Sequence, residues 1–306
     1  MICVRAVTFG YGPAPLFERL SFEVPEGESL AVLGANGSGK STILRLLAGL
    51  LAPRAGEVLL DGRSMHALAP HERALRVAYV PQGIDPQLPF TVRETVLMGR
   101  YAHLRGRWER EIDREVARRA MAAMRLEDVA DRPLSQVSGG ERQRAVLASA
   151  LAQEAPVLLF DEPTTALDVR GRVEAMTLIE RLRREERRTV VLVTHDIDLA
   201  ARFCARVLLL GAPGGPVVGT HDDVLRPDRL EAAYGIPVRV LELPDAGGKV
   251  FVPEYGQVPN PSPSPSPSPR DGSSTSTPTS TPTVPSPEPR ASASGQSPST
   301  RGRDGS

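Results

Sequence analysis

Residues 29–50 limit the possible folds more than any other stretch of this chain. Residues 29–33 are a short apolar run. Gly34, Ala35, Asn36, Gly37, Ser38, Gly39, Lys40 and Ser41 follow it in the pattern G-x-x-x-x-G-K-[ST]. Residues 41–50 then read as a helix with Leu44, Leu47 and Ala48 on one face, ended by Gly49 and Pro53. A strand, a glycine loop and a helix in that order predict an α/β core. Gly34, Gly37 and Gly39 allow backbone angles and close approaches that a side chain would block. The N–H groups of such a loop and of the helix start make a cradle for a polyphosphate. Lys40 then supplies a point charge for the β- and γ-phosphates, and the Ser41 hydroxyl supplies a ligand for Mg²⁺.

The rest of the folded part alternates in the same way. Residues 2–9, 16–24, 56–60 and 77–80 read as strands, the third closed by the turn Asp61-Gly62. Residues 92–100, 109–124 and 140–152 read as helices with no strand between them, so residues from about 84 to 152 are expected to form a helical subdomain inserted into the core. Strands at 157–160, 189–194 and 206–210 then alternate with helices at 172–186 and 196–203, which predicts a mostly parallel sheet. The expected domain is residues 1–255. Residues 256–306 are dominated by Ser, Pro, Thr and Gly, with Val284 the only large aliphatic residue after position 260. Such a segment cannot bury enough apolar surface to offset chain ordering, so it is expected to be a disordered tail.

Composition excludes little but is consistent. Lys plus Arg and Asp plus Glu both total 37 of 306 residues, and aromatics make up 4%. A basic stripe or a set of stacking aromatics for nucleic acid is not expected. Cys3 and Cys204 match no metal spacing and read as two buried thiols. The alternating residues after Met1 do not read as a secretory leader, and the aliphatic runs are strand-sized rather than the roughly 20 residues of a membrane span. Work at a membrane would therefore pass through a partner.

Three further segments sharpen the chemistry. Phe160-Asp161-Glu162 ends an apolar strand, where ligands of open α/β sheets bind. Asp161 fits the role of organising Mg²⁺, and Glu162 could polarise an attacking water or be a solvated strand-end acid. Ser138-Gly139-Gly140-Glu141 opens a helix as a capping box. Capping does not call for two glycines, which weaken a first turn. They expose N–H groups at a positive helix end, which suits a second phosphate, one held by a partner subunit. His195 follows a later strand. A lone His in that place is usually structural. His66 and His71 in a Pro-containing loop are not expected to hold a metal.

Together these motifs resemble the nucleotide-binding subunits of ABC transporters over roughly residues 1–255. The loop at 34–41, Gln82, the signature at 138–141, Asp161-Glu162, the segment Thr165-Ala166-Leu167-Asp168 and His195 occur in that family's order. The resemblance implies a RecA-like core with an antiparallel β part and the inserted helical subdomain. It implies that Tyr11 stacks on adenine and that residues 34–42, including Thr42, bind ATP together with Ser138, Gly139, Gly140 and Asp168. It also implies that Gln82 senses Mg²⁺ and the attacking water, and that His195 contacts the γ-phosphate. Two subunits would sandwich two ATPs, joined to transmembrane permease subunits on the cytoplasmic face and, through them, to an extracytoplasmic binding protein. Val137 and Glu141 depart from the usual Leu-Ser-Gly-Gly-Gln signature, while Ser138 and Gly140 are kept.

Residues 90–103, and 234–238 with 251–253, resemble importer ATPases for iron-siderophores, haem and cobalamin. The first stretch is also similar to zinc and manganese importer ATPases. The basic segment 100–110 lies where the family meets the permease. A soluble ABC protein of DNA repair or translation would carry a coiled-coil insertion or tandem cassettes. A P-loop kinase would have no use for residues 138–141, and the Asn-Lys-x-Asp signature of a GTPase is missing.

Overall fold

The computed structural model describes residues 1–104, 106, 108–243 and 248–254. The tail expected at 256–306 lies outside them. In chain order the strands are β1 (Ile2–Phe9), β2 (Phe17–Val24), β3 (Ser29–Leu33), β4 (Ala55–Leu60), β5 (Arg63–Ser64), β6 (Val77–Val80), β7 (Val157–Asp161), β8 (Thr189–Val193), β9 (Arg206–Leu209), β10 (Val217–Thr220), β11 (Val238–Leu243) and β12 (Gly248–Pro253). The helices are α1 (Lys40–Leu47), α2 (Pro70–Ala74), α3 (Val92–Leu97), α4 (Tyr101–Leu104), α5 (Glu111–Ala123), α6 (Gly139–Ala152), α7 (Val169–Glu185), α8 (Ile197–Phe203), α9 (His221–Val224) and α10 (Pro227–Tyr234).

The central sheet has the order β10-β9-β3-β8-β7-β6, all parallel except β10. An antiparallel sheet, β2-β1-β4-β5, forms a second layer. Every residue of β3, β7 and β8 is buried, as expected of parallel strands covered on both faces. Along β3 the faces divide: Leu30 and Val32 join a core with α1 and the antiparallel sheet, while Ala31 and Leu33 join a core with the helical layer. Cys3 and Cys204 are both buried, and burial pushes the Cys204 thiol up to about 12. Among the described residues no helix is long and apolar enough to cross a membrane.

Register determines where the motifs meet. Val32 pairs with Val193, Val193 with Asp161, and Phe160 with Val80. Four neighbouring strands, β3-β8-β7-β6, therefore end at one edge. There they deliver Gly34, His195, Asp161 with Glu162, and Gln82 side by side.

The helical insertion is present as expected, with α3, α5 and α6 packed together around Val92, Val96, Val116, Ala117 and Leu147. The helix expected at 92–100 breaks into a 3₁₀ turn after Leu97. Gly99 sits there against α6, where a Cβ would collide with the Ser149 carbonyl oxygen. The helix expected from 172 begins three residues earlier, because the Asp168 carboxylate accepts a hydrogen bond from the Gly171 N–H (2.7 Å) and caps it.

The placing of Arg100 at a permease-facing surface is corrected. Arg100 is 4% exposed. Its guanidinium donates to Asp113 Oδ1 (3.2 Å), the Ala152 carbonyl (2.7 Å) and Glu154 Oε2 (2.6 Å), tying α5 to the C-terminal end of α6. Burial pushes the Asp113 carboxyl up, but Arg110 and Arg100 outweigh it and hold the carboxyl below its usual range. A depressed carboxyl contributes stability that is present above the unfolded pKa near 4 and is lost as pH falls through the folded value. Removing one partner from a buried ionic cluster costs about 3 kcal/mol. Arg100→Met is thus expected to lower the melting temperature by several degrees at pH 7, and by less in acid where Asp113 protonates. Thermal melts at both pH values check this.

Candidate active site

The loop after β3 is shaped by contacts that only glycine allows. Gly34 has φ +145°, and a Cβ there would lie 2.7 Å from both the Leu210 carbonyl oxygen and Ser38 Oγ. Gly39 caps α1 at φ +96°, where a Cβ would strike the Phe17 ring. The loop is pressed from both sides into a tight turn, in which the Ser38 N–H donates to the Ala35 carbonyl (3.2 Å). Lys40 is buried, and its Nζ donates to the carbonyls of Gly34 (2.9 Å) and Ala35 (3.1 Å). Burial lowers the Lys40 ammonium, while Glu162 and Asp161 raise it in part. Ser38 Oγ is buried with no hydrogen-bond partner among the described residues. A cradle with an under-paired buried cation and an orphaned hydroxyl fits a polyphosphate.

Next to the loop, Ser41 Oγ donates to Asp161 Oδ1 (3.1 Å) and Tyr79 Oη to Asp161 Oδ2 (3.4 Å). Asp161 is 3% exposed. A hydroxyl and a carboxylate on neighbouring elements are the hard oxygen donors that Mg²⁺ takes.

Glu162 adopts φ +51°, a left-handed conformation uncommon outside glycine. The turn swings its carboxylate out of the strand and into a cluster. Oε2 accepts from Gln82 Nε2 (2.8 Å) and from Thr165 Oγ1 (3.2 Å), while Oε1 lies 2.7 Å from His195 Nε2. Gln82, Glu162 and His195 are thereby brought together, which excludes the solvated-acid reading of Glu162. Tyr11 is 66% exposed; its ring packs edge-on against Phe9 and its hydroxyl lies 3.2 Å from Thr42 Oγ1. It stands at the rim of the loop with an open face.

Residues 138–141 form the expected capping box. Ser138 Oγ accepts from the Glu141 N–H (3.2 Å), and Glu141 Oε2 accepts from the Ser138 N–H (2.7 Å). Among the described residues no side-chain hydrogen bond joins this segment to residues 34–42 or 161–162. A Cβ on Gly139 would meet nothing within 4 Å, and one on Gly140 would rest 3.5 Å from the Ala166 carbonyl oxygen, an ordinary contact. Among the described residues no contact requires either glycine, in contrast to Gly34 and Gly39.

The comparisons with known proteins agree with this geometry. The ABC transporter family matches residues 17–165. The ferric enterobactin transport ATP-binding protein FepC of Escherichia coli K12 is 36% identical over 249 residues, 81% of this chain and 92% of that protein. The chain belongs to the ABC transporter family. Within it, the hemin import ATP-binding protein HmuV of Pseudomonas entomophila L48 is 38% identical over 259 residues, 82% of this ABC chain and 99% of that protein. A solved inward-facing transporter assigned to the metal-chelate type superposes with a TM-score of 0.72 at 30% identity, over 83% of this chain and 98% of that one. The dimeric cassette MJ0796, solved bound to ADP and Pi, superposes with a TM-score of 0.62 at 32% identity, over 69% and 94%. This ABC subunit is thus an ATPase with an ATP site.

The sequence left some residues of the ABC site unread. Thr165 was noted only within a motif, yet its hydroxyl holds Glu162. Tyr79 reaches Asp161 from the next strand, a position its alternation in β6 could have suggested. Phe17 backs Gly39 from a distant strand and carries no local signal.

Proposed function

We propose that two copies of this ABC subunit bind two ATPs between them and hydrolyse them, driving import of a metal chelate through membrane permease subunits. The paired glycines at 139 and 140 carry the dimer reading, since the packing of the described residues does not need them. In this reading Ser138 and Gly140 of the partner subunit face the γ-phosphate, and Asp168 lies at the seam between the copies. Tyr11 offers its open face to adenine. On ATP entry the Lys40 ammonium exchanges the Gly34 and Ala35 carbonyls for phosphate oxygens.

Ser41 and Asp161 would hold Mg²⁺, with Gln82 near it; the ion, when bound, neutralises charge on the transferred phosphoryl group. Glu162 accepts a proton from water as the water oxygen attacks the γ-phosphorus. The bond to the β–γ bridging oxygen breaks, and ADP and phosphate leave. His195 and Gln82 fix the Glu162 carboxylate and the attacking water.

The permease would dock on the helical subdomain. A groove there, with a volume of about 220 Å³, is lined by Leu97, Met98, Tyr101 and Leu104 together with the charged Glu94, Glu109 and the largely buried Arg100, whose guanidinium is held by Asp113 and Glu154. Tyr101 in this groove is 80% exposed, and Trp108, next to Glu109 in the sequence, is 92% exposed. Such an apolar, aromatic patch rimmed by charge suits a helix end of a membrane partner. In this reading the subunit sits peripherally on the cytoplasmic face and reaches the extracytoplasmic binding protein only through the permease.

The likeness to the chelate importers, at 36–38% over nine-tenths or more of their lengths, supports the choice of cargo. A strain lacking this chain should lose uptake of one ferric siderophore, haem or cobalamin and keep uptake of free zinc and manganese. Loss of zinc or manganese uptake instead would overturn the chelate assignment.

A further inference from the structure

Tyr234 is the last residue of α10, some two hundred positions from the phosphate loop in sequence, yet its hydroxyl accepts a hydrogen bond from the Gly34 N–H at 3.1 Å. We infer that Tyr234 is a positioning residue of the nucleotide site, acting through Gly34 on Lys40 to set ATP affinity. This inference rests on the ATP reading of residues 34–42.

The geometry forms a short relay. Tyr234 holds the N–H of Gly34, and the carbonyl of the same residue receives the Lys40 ammonium (2.9 Å). Gly34 is closely hemmed in, since the Leu210 carbonyl oxygen and Ser38 Oγ close the space where a Cβ would be. Burial pushes the Tyr234 phenol up, and the Gly34 N–H bond offsets this in part. A backbone donor at this place would otherwise be left without a partner, which costs more than one ordinary hydrogen bond.

The mount of Tyr234 is rigid. Pro227 starts α10, and Leu230 and Ala233 are buried beneath it. Gly235, at φ +73°, ends the helix with its N–H donating to the Glu231 carbonyl (2.8 Å). The hairpin β11–β12 that follows is pinned where the Phe251 N–H donates to Asp198 Oδ1 (2.9 Å). The C-terminal part of the fold thus supports the loop from behind, on the side away from the β8, β7 and β6 strand ends. None of the roles given above to Glu162, Gln82 or His195 uses it.

The test is Tyr234→Phe in the full chain, which keeps the ring and its burial. Loss of one hydrogen bond to the loop should raise KM for ATP, and Kd for a fluorescent non-hydrolysable ATP analogue, by roughly 3- to 10-fold. The kcat should change by less than about twofold, since the interaction is made equally in ground and transition states. A lower melting temperature with KM unchanged, or a fall in kcat alone, would reduce Tyr234 to a structural role and overturn the inference. Lys40→Ala run in parallel separates the two levels. If it too leaves analogue binding intact, the ATP reading itself fails; if it abolishes binding while Tyr234→Phe does nothing, only the Tyr234 role fails. The unaltered chain gives a second measurement that does not depend on a variant folding. The Gly34 amide should exchange slowly with solvent, and fast exchange would contradict the hydrogen bond.

Discussion

Glu162→Gln should keep ATP binding and nearly abolish turnover. The substitution preserves size; with the amide oxygen in the place of Oε2 it still accepts from Gln82 and Thr165, and its NH2 faces His195 Nε2, which can accept in the other imidazole tautomer, so the cluster loses little of its packing. The lost property is basicity. General-base assistance is worth about 10²–10⁴ in rate, so kcat should fall by that factor while analogue Kd moves little. The left-handed backbone at 162 aims this side chain into the cluster, and an amide will occupy the same place. Stopped turnover at unchanged affinity is the signature of a chemical role. Near-normal turnover would remove Glu162 from the chemistry and leave the cluster a structural one.

Gly140→Asp should leave the isolated subunit as stable as before, or slightly more so, and yet cost most of its activity. The new Cβ fits at 3.5 Å from the Ala166 carbonyl oxygen, and an acid in a helix first turn is favoured by about 0.3–1 kcal/mol. If the γ-phosphate of the partner subunit's ATP sits here, a carboxylate about 5 Å from it meets a repulsion of about 3 kcal/mol at an effective dielectric near 20. Turnover should then drop by about two orders of magnitude. A thermal melt and a phosphate-release assay check the two halves. Loss of both stability and activity would mean that the glycine serves the fold; loss of neither would take residues 138–141 out of the site.

The strand ends and the glycine loop were legible because their signals are local. A G-x-x-x-x-G-K-S run between a strand and a helix is recognisable from its own residues, and Asp161-Glu162 sits at a strand end that apolar periodicity marks. The coming together of Gln82, Glu162 and His195 was legible only through the family resemblance, since it depends on the strand order β3-β8-β7-β6, which no single segment encodes. Arg100 was misread for the same reason. Its charge suggests an exposed loop, but Asp113 and Glu154, both distant in sequence, draw it into the interior. The C-terminal elements from β10 to β12 were not recognised, because short amphipathic pieces broken by Gly and Pro give weak periodicity. Tyr234 reaches Gly34 only after all of them have packed.

The central claim is that each ATP joins two copies of this chain, and Glu162→Gln tests it most directly because bound ATP is not consumed. Sedimentation of this variant should give a monomer without nucleotide, a dimer with ATP and Mg²⁺, and a monomer again when Gly140→Asp is added. A Glu162→Gln chain that binds ATP at full occupancy and remains monomeric at every concentration would contradict the claim.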